Sequence, residues 1–285
     1  MLAIPRNSGV PSAKNAENAL GLKRLNMKFG LIGHPIAHSL SPALFNAGYD
    51  GRYTYELIES PDFEEAYEKF LNSYDGINVT APFKELAFAK ADILSDECKA
   101  IGATNLLVKT PEGIKAYNSD YLGVRKWLEE VRSSLSSGGG LADTHIKVLV
   151  VGLGGAGKAA AEAAGSLGMK VIRMNRTVKD EHTRPLDDFK ECFRESDIII
   201  YNIPTSIEAL NELSDKDFIP GKAKFILEAN YKDPSFDKVM KDRIDAAAGA
   251  VSYTGGRTWL LYQAVTGYEI FTGEKPDLTK MTDVL

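Results

Sequence analysis

Apolar runs separated by short polar breaks set the rhythm of this chain. Val148, Leu149, Val150 and Val151 form an unbroken apolar run, the pattern of a strand covered on both faces. The run stops at Gly152, the small residues Ala159 to Ala164 open a helix, and Met169 to Met174 is a second apolar burst. The stretch from Ile146 to Thr177 therefore reads as strand, glycine turn, helix, strand. The alternation continues with a helix over Asp188–Glu195, a strand over Asp197–Tyr201, a strand over Lys224–Tyr231, a helix over Phe236–Ala248 and a strand over Ala250–Tyr253. Strict alternation of this kind predicts an α/β fold with a doubly wound parallel sheet and right-handed crossovers.

The first half carries a second α/β pattern. Lys28–Gly33 is a short strand, and Ser41-Pro42 reads as a helix start, with Ser41 as N-cap and Pro42 in the first helical position. Arg52–Glu59 alternates as a strand, Phe63–Leu71 has helical spacing, and Gly76–Thr80 is a strand. Pro82 opens a helix with Lys84 one turn in, and a short helix is expected over Asp92–Ile101. Leu106–Val108 and Ile114–Tyr117 form a hairpin about Pro111-Glu112-Gly113, and Asn118-Ser119-Asp120 caps a helix running to about Val131. Ser133–Gly140, rich in serine and glycine, reads as a flexible break between domains. Two further helices are expected over Thr258–Val265 and Tyr268–Phe271.

Composition narrows the function classes. The 285 residues suffice for two domains, and 44% hydrophobic with 26% charged residues is ordinary for a globular protein. A net charge of −5 argues against a general nucleic-acid binder. No apolar run reaches membrane-spanning length. Two cysteines, Cys98 and Cys192, are too few for a disulfide framework and suit a reducing cytoplasm. His34 and His38 are four apart with Pro35 between them, and no metal site is expected. Residues 1–26 are polar and lack the apolar core of a signal peptide; they are expected to be a disordered extension, or to follow a start placed upstream of the true one.

The glycines supply the first candidate chemistry. Gly152, Gly154 and Gly157 have G-x-G-x-x-G spacing between a strand and a helix, the context in which backbone N–H groups cradle a pyrophosphate at a helix N-terminus. Where an NAD site usually places an acid at the end of the second strand, this chain has Asn175-Arg176-Thr177. Arg176 can pair with a 2′-phosphate, so the expected cofactor is NADP.

Elsewhere the residues alone leave alternatives open. Ser39 and Ser41 are equally well helix caps or hydroxyls facing an anion. Lys84 is either a solvated charge or, with Asn78 and Thr80, part of a strand-to-helix corner of the kind that binds ligands. Asp120 is a helix-start acid, and Gln263 on its own reads as a surface residue.

Taken together, GHPIAHSLSP (33–42), GINVTAPFK (76–84), IGATN (101–105), NSD (118–120), GLGGAGKA (152–159), NRT (175–177) and GGRTWLLYQAVTGYEIFTG (255–273) resemble the shikimate dehydrogenase family, in family order, from Lys28 to Gly273. The resemblance implies an N-terminal α/β substrate domain (27–132 plus 257–285), a Rossmann-like NADP domain (141–256), and C-terminal helices that return to the first domain. It implies NADP-dependent, reversible interconversion of 3-dehydroshikimate and shikimate in a cytoplasmic monomer or homodimer, with a small-molecule substrate and neither nucleic acid nor membrane as partner. It makes Lys84 and Asp120 the catalytic pair, and Ser39 and Ser41 the hydroxyls for the substrate carboxylate. Asn78, Thr80, Asn105 and Gln263 would hold the ring hydroxyls, and Gly152, Gly154, Gly155 and Ala156 the pyrophosphate. Departures are Tyr121 after the acid, Leu106 after Thr104-Asn105, Asp180 where a further basic residue is common, the loop Asn202–Ser206 without glycine, and the irregular YKDPSF (231–236). Asp180 keeps open a quinate/shikimate dehydrogenase using NAD or both cofactors; a sensor that binds without turnover is the remaining alternative.

Overall fold

The computed structural model describes residues 26–137, 145–218, 223–246 and 251–285. All but the last residue of the expected N-terminal extension lie outside it, as do Gly138–Gly140 of the expected break. In chain order the first half contains β1 (Lys28–Gly33), α1 (Ser41–Tyr49), β2 (Thr54–Glu59), α2 (Phe63–Ser73), β3 (Gly76–Val79), α3 (Lys84–Ala89), β4 (Ile93–Leu94), α4 (Asp96–Ile101), β5 (Leu106–Thr110), β6 (Gly113–Tyr117) and α5 (Ser119–Ser137). The second half contains β7 (Lys147–Val151), α6 (Gly155–Ser166), β8 (Lys170–Met174), β9 (Thr183–Arg184), α7 (Phe189–Glu195), β10 (Ile198–Tyr201), α8 (Glu208–Asn211), β11 (Lys224–Glu228), α9 (Lys238–Ala246), β12 (Val251–Thr254), α10 (Gly256–Thr272) and α11 (Leu278–Asp283).

The strands form two sheets. The first has the order β2-β1-β3-β5-β6-β4 and is mixed: β1 runs parallel to β2 and β3, and the β5–β6 hairpin joins β3 antiparallel. The second has the order β12-β11-β10-β7-β8-β9 with every pairing parallel, which is the doubly wound order expected from the alternation.

Period-two alternation explains why the apolar run of β7 is unbroken. Val148 and Val150 face a cluster with Ala160 and Ala164 of α6 and with Trp127, Leu128 and Val131 of α5. Leu149 and Val151 face the opposite cluster, with Phe189 and Phe193 of α7 and Phe236. Helices cover both faces of the sheet, so neither parity can be polar. In the first sheet, Ile32, Ile58, Ile77 and Val79 pack against Phe63, Tyr67 and Phe70 of α2. Its other face, with Phe29 and Leu106, is closed by α1 and by α10 from the far end of the chain. The Phe271 ring stacks on Phe29 with centroids 4.8 Å apart. Burying Tyr268 and Phe271 there contributes on the order of 3–6 kcal/mol.

Several boundaries differ from expectation. The first residue of α1 is Ser41, and the N-cap position belongs to Leu40, so Ser41 is not the cap. α3 begins at Lys84 rather than at Pro82, which places the lysine at the corner itself. The expected helix over Asp92–Ile101 is a two-residue strand followed by α4, because Ile93 and Leu94 pair with Lys115 and Ala116 of β6. α5 continues through Ser137, so the serines expected to break the chain extend the helix. Ser133 and Ser134 turn their hydroxyls back to the carbonyls of Glu129 and Glu130, which lets serine stay in a helix. The two expected terminal helices are one, α10, because Gly267 sits inside it against the Ser119 side chain. No helix among the described residues is long and apolar enough to cross a membrane.

Candidate active site

The carboxyl ends of strands from both sheets open on one cleft of about 500 Å³. The turns after β1 and β3 form one wall, and the starts of α6 and α10 with the segment after β11 form the other. Open α/β sheets bind ligands at such edges.

Lys84 and Asp120 meet there. Lys84 Nζ lies 2.5 Å from Asp120 Oδ2, with the two side chains 21% and 11% exposed. Each is held by its own element. Lys84 leads α3, and its carbonyl accepts the Thr104 N–H at 3.2 Å. Asp120 is in the first turn of α5, whose cap is Asn118: Asn118 Oδ1 accepts the Tyr121 N–H at 3.1 Å. A partly desolvated ammonium–carboxylate pair facing a cleft can stabilise and protonate a developing alkoxide.

The other expected substrate residues line the same cleft: Ser39, Ser41, Asn78, Thr80, Asn105 and Gln263. The Ser39 hydroxyl donates to Ser41 Oγ at 3.2 Å and accepts the Ser41 N–H at the same distance. Two hydroxyls therefore stand together at the start of α1, a helix N-terminus suited to a carboxylate. Tyr268 anchors this corner from α10 by donating to the Ser41 carbonyl at 3.1 Å.

Asn78 is engaged on both ends, since Oδ1 accepts from Tyr55 Oη at 2.8 Å and Nδ2 donates to the Asn105 carbonyl at 3.3 Å. Burial, together with the neighbouring Tyr268, pushes the Tyr55 hydroxyl well above its ordinary range, so it stays a donor. Asn105 Oδ1 accepts the Ser119 N–H at 2.7 Å, which leaves its amide nitrogen for the cleft.

The glycine turn fits a dinucleotide. Gly152 has φ of +87°, and a Cβ on Gly157 would stand 1.8 Å from the Gly152 carbonyl oxygen, so the strand-to-helix turn closes only on glycine. A Cβ at Gly154 would meet nothing within 4 Å, leaving open backbone at the start of α6 where a pyrophosphate would lie. Gly155 and Ala156 begin that helix, and Ala156 reaches the cleft. The turn also adjoins the pair: a Cβ on Gly155 would lie 3.6 Å from Lys84 Cδ.

A second pocket of about 350 Å³ lies beyond the turn, at the end of β8. Asn175 and Thr177 line it, and Asn175 ties the turn to β8 by accepting the Leu153 N–H at 3.5 Å. Arg176 is exposed and is not among the lining residues; the cations that are there are Lys158, Arg173 and Lys179. Asp180 also lines it, with its carboxylate turned back to accept from the His182 N–H and the Thr183 hydroxyl, both at 2.9 Å. The hydrogen bond from the Thr183 hydroxyl holds this carboxyl below its ordinary value.

Sequence reasoning missed Tyr231 and Trp259 in the cleft and Tyr55 and Ser119 beneath it. Tyr231 was read as the end of the strand expected over Lys224–Tyr231, which in the structure stops at Glu228, and Ser119 passed for a cap. Among the described residues no group of three His, Cys, Asp or Glu could hold a metal.

Residues 31–107 match the family model described as shikimate dehydrogenase substrate binding domain, and residues 119–227 that of D-isomer specific 2-hydroxyacid dehydrogenase, NAD binding domain. A shikimate dehydrogenase (NADP(+)) of Haloarcula marismortui is 32% identical over 276 residues, covering 89% of this chain and 96% of that protein. The structure of shikimate 5-dehydrogenase from Thermus thermophilus in complex with NADP(H) and shikimate superposes with a TM-score of 0.72 at 25% identity, over 90% of this chain and 98% of that one. A quinate dehydrogenase from Corynebacterium glutamicum in complex with NAD has a TM-score of 0.70 at 20% identity, over 91% of this chain and 98% of that one, which is a likeness of fold. With 96% of the relative's length matched and the fold shared across both halves, this chain belongs to the shikimate dehydrogenase family.

Proposed function

We propose that this protein catalyses the NADP-dependent, reversible reduction of 3-dehydroshikimate to shikimate, the step that feeds chorismate and aromatic amino-acid synthesis. The observation that carries the reading is the Lys84–Asp120 pair at 2.5 Å in a cleft whose far wall is the glycine turn. Residues 27–132 with 257–285 hold the substrate, and residues 141–256 the cofactor, in a cytoplasmic enzyme acting as a monomer or homodimer.

Ser39 and Ser41 receive the substrate carboxylate. Thr80, Asn105 and Gln263 hold the ring hydroxyls, and Asn78 completes that wall. Neutral amides and hydroxyls suit such a ring because its hydroxyls both donate and accept. Gly152, Gly154, Gly155 and Ala156 would hold the pyrophosphate, Asn175 and Thr177 the adenosine end, and Arg176 the 2′-phosphate from its exposed position. NADPH, when bound, supplies the hydride. As the ketone carbon accepts it, the C=O electron pair moves to oxygen, and Lys84 delivers a proton to that oxygen. Asp120 holds Lys84 Nζ throughout and returns a proton to it from solvent. In the reverse direction Lys84 takes the hydroxyl proton.

A second reading, a quinate/shikimate dehydrogenase using NAD or both cofactors, is favoured by Asp180 at the second pocket, where an acid disfavours a 2′-phosphate. A grid of shikimate or quinate against NADP or NAD, followed by nicotinamide absorbance, tests both. Turnover restricted to shikimate with NADP is the expected result. Turnover of quinate, or with NAD, moves the assignment to the broader enzyme. Shikimate that stabilises the protein while every combination is silent identifies a sensor.

A further inference from the structure

Ser119 is fully buried between the two amides that face the cleft, and its chemistry is not used by the reaction described above. Its backbone N–H donates to Asn105 Oδ1 at 2.7 Å. Its hydroxyl lies 3.0 Å from Gln263 Oε1 and 3.2 Å from Asn105 Oδ1. A backbone N–H can only donate, so Asn105 must turn its oxygen inward and its NH₂ toward the cleft. The hydroxyl has one proton. Of its two acceptors Gln263 Oε1 is the nearer, at 3.0 Å against 3.2 Å, and Asn105 Oδ1 has the backbone N–H besides, so the proton goes chiefly to Gln263. That sends the Gln263 NH₂ to the cleft as well.

We infer that Ser119 is a positioning residue that sets the donor face of Gln263 toward the substrate, resting on the substrate assignment proposed above. Two elements prepare the contact. α10 crosses α5 where Gly123 meets the Gln263 backbone, and Gly267 sits over the Ser119 side chain. The amide can therefore reach the hydroxyl without a long side-chain detour. A cleft lined by donors at both amides favours ligand oxygens that accept, as a ketone must and a hydroxyl can.

Ser119→Ala leaves Gln263 Oε1 without its donor and frees the amide to turn. The expected result is a KM for shikimate raised about tenfold, with kcat within about twofold and the KM for NADP unchanged. The Ser119→Ala, Gln263→Ala cycle is expected to be strongly sub-additive in kcat/KM, because the two side chains act as one unit. The cycle with Asn105→Ala is expected to be nearly additive, since the backbone N–H still holds that amide. If Ser119→Ala does not fold, Ser119→Cys keeps the size and a weaker donor, and reads the same cycle with a smaller rise. A wild-type KM for shikimate in the variant, an additive cycle with Gln263, or an equal rise in the KM for NADP overturns the inference while leaving the activity standing. Absence of shikimate turnover in the wild type overturns the activity and this inference together.

Discussion

Lys84 and Asp120 lie 36 positions apart in the chain and 2.5 Å apart in space. Neither is conspicuous by itself, as a lysine and an acid near helix starts are commonplace. Only the conjunction of several short segments marked them, because pairing across two elements leaves no local pattern. Replacing Lys84 with Ala is expected to lower kcat by roughly 10²–10⁴-fold, while shikimate binding measured by calorimetry stays within a few-fold. A kcat near the wild-type value would remove Lys84 from the proton transfer. The glycine turn was legible for the opposite reason: its spacing answers a local steric demand, seen in the 1.8 Å that a Gly157 side chain would leave. The supporting shell was not legible. Tyr55 sits in an ordinary alternating strand, and nothing in that alternation tells that its hydroxyl holds Asn78.

Among elements, the hydrophobic period located helices and strands well and their ends poorly. β7 and β10 stand where their apolar runs fall, since covered parallel strands admit no polar parity. β4 was missed because two residues carry no periodicity; only the neighbouring hairpin strand makes them a strand. The junction of α5 and α10 is the element-scale feature that bears most on the site. A Cβ on Gly123 would lie 2.7 Å from the Gln263 backbone nitrogen, so Gly123→Ala must push α10 outward. Such overpacking costs about 1–3 kcal/mol. The expected outcome is a lower Tm and a higher KM for shikimate, with the KM for NADP changed less, because the close contact falls on Gln263, which lines the cleft. Equal changes in both KM values would mean that α10 does not act on the substrate side alone.

For the whole molecule, buried tyrosines couple stability to alkaline pH. Burial is the main cause that lifts the hydroxyls of Tyr49 and Tyr201 from 10.0 to about 12. One lies under the first sheet with α10, the other on a face of the second. A raised value means that the folded state holds the proton more tightly. The stability this contributes is complete below pH 10 and is lost as the pH rises through about 12. Tyrosinate absorbance and loss of secondary structure are therefore expected to change together in that interval. Ionisation of all the tyrosines near pH 10 with the fold intact would contradict it.

The stacking of Phe271 on Phe29 also sets an order of events during synthesis. Chains emerge from the ribosome N-terminus first, and domains tend to fold as they appear. The first sheet emerges early but lacks α10 and Gln263 until nearly the whole chain has been made. The second sheet needs only the contiguous stretch up to β12 to assemble its strands. The first sheet thus waits for α10 to close one of its faces, while among the buried core residues of the second only Trp259 comes from the same helix. Phe29 and Phe45 gain their cover of Tyr268 and Phe271 only when α10 arrives.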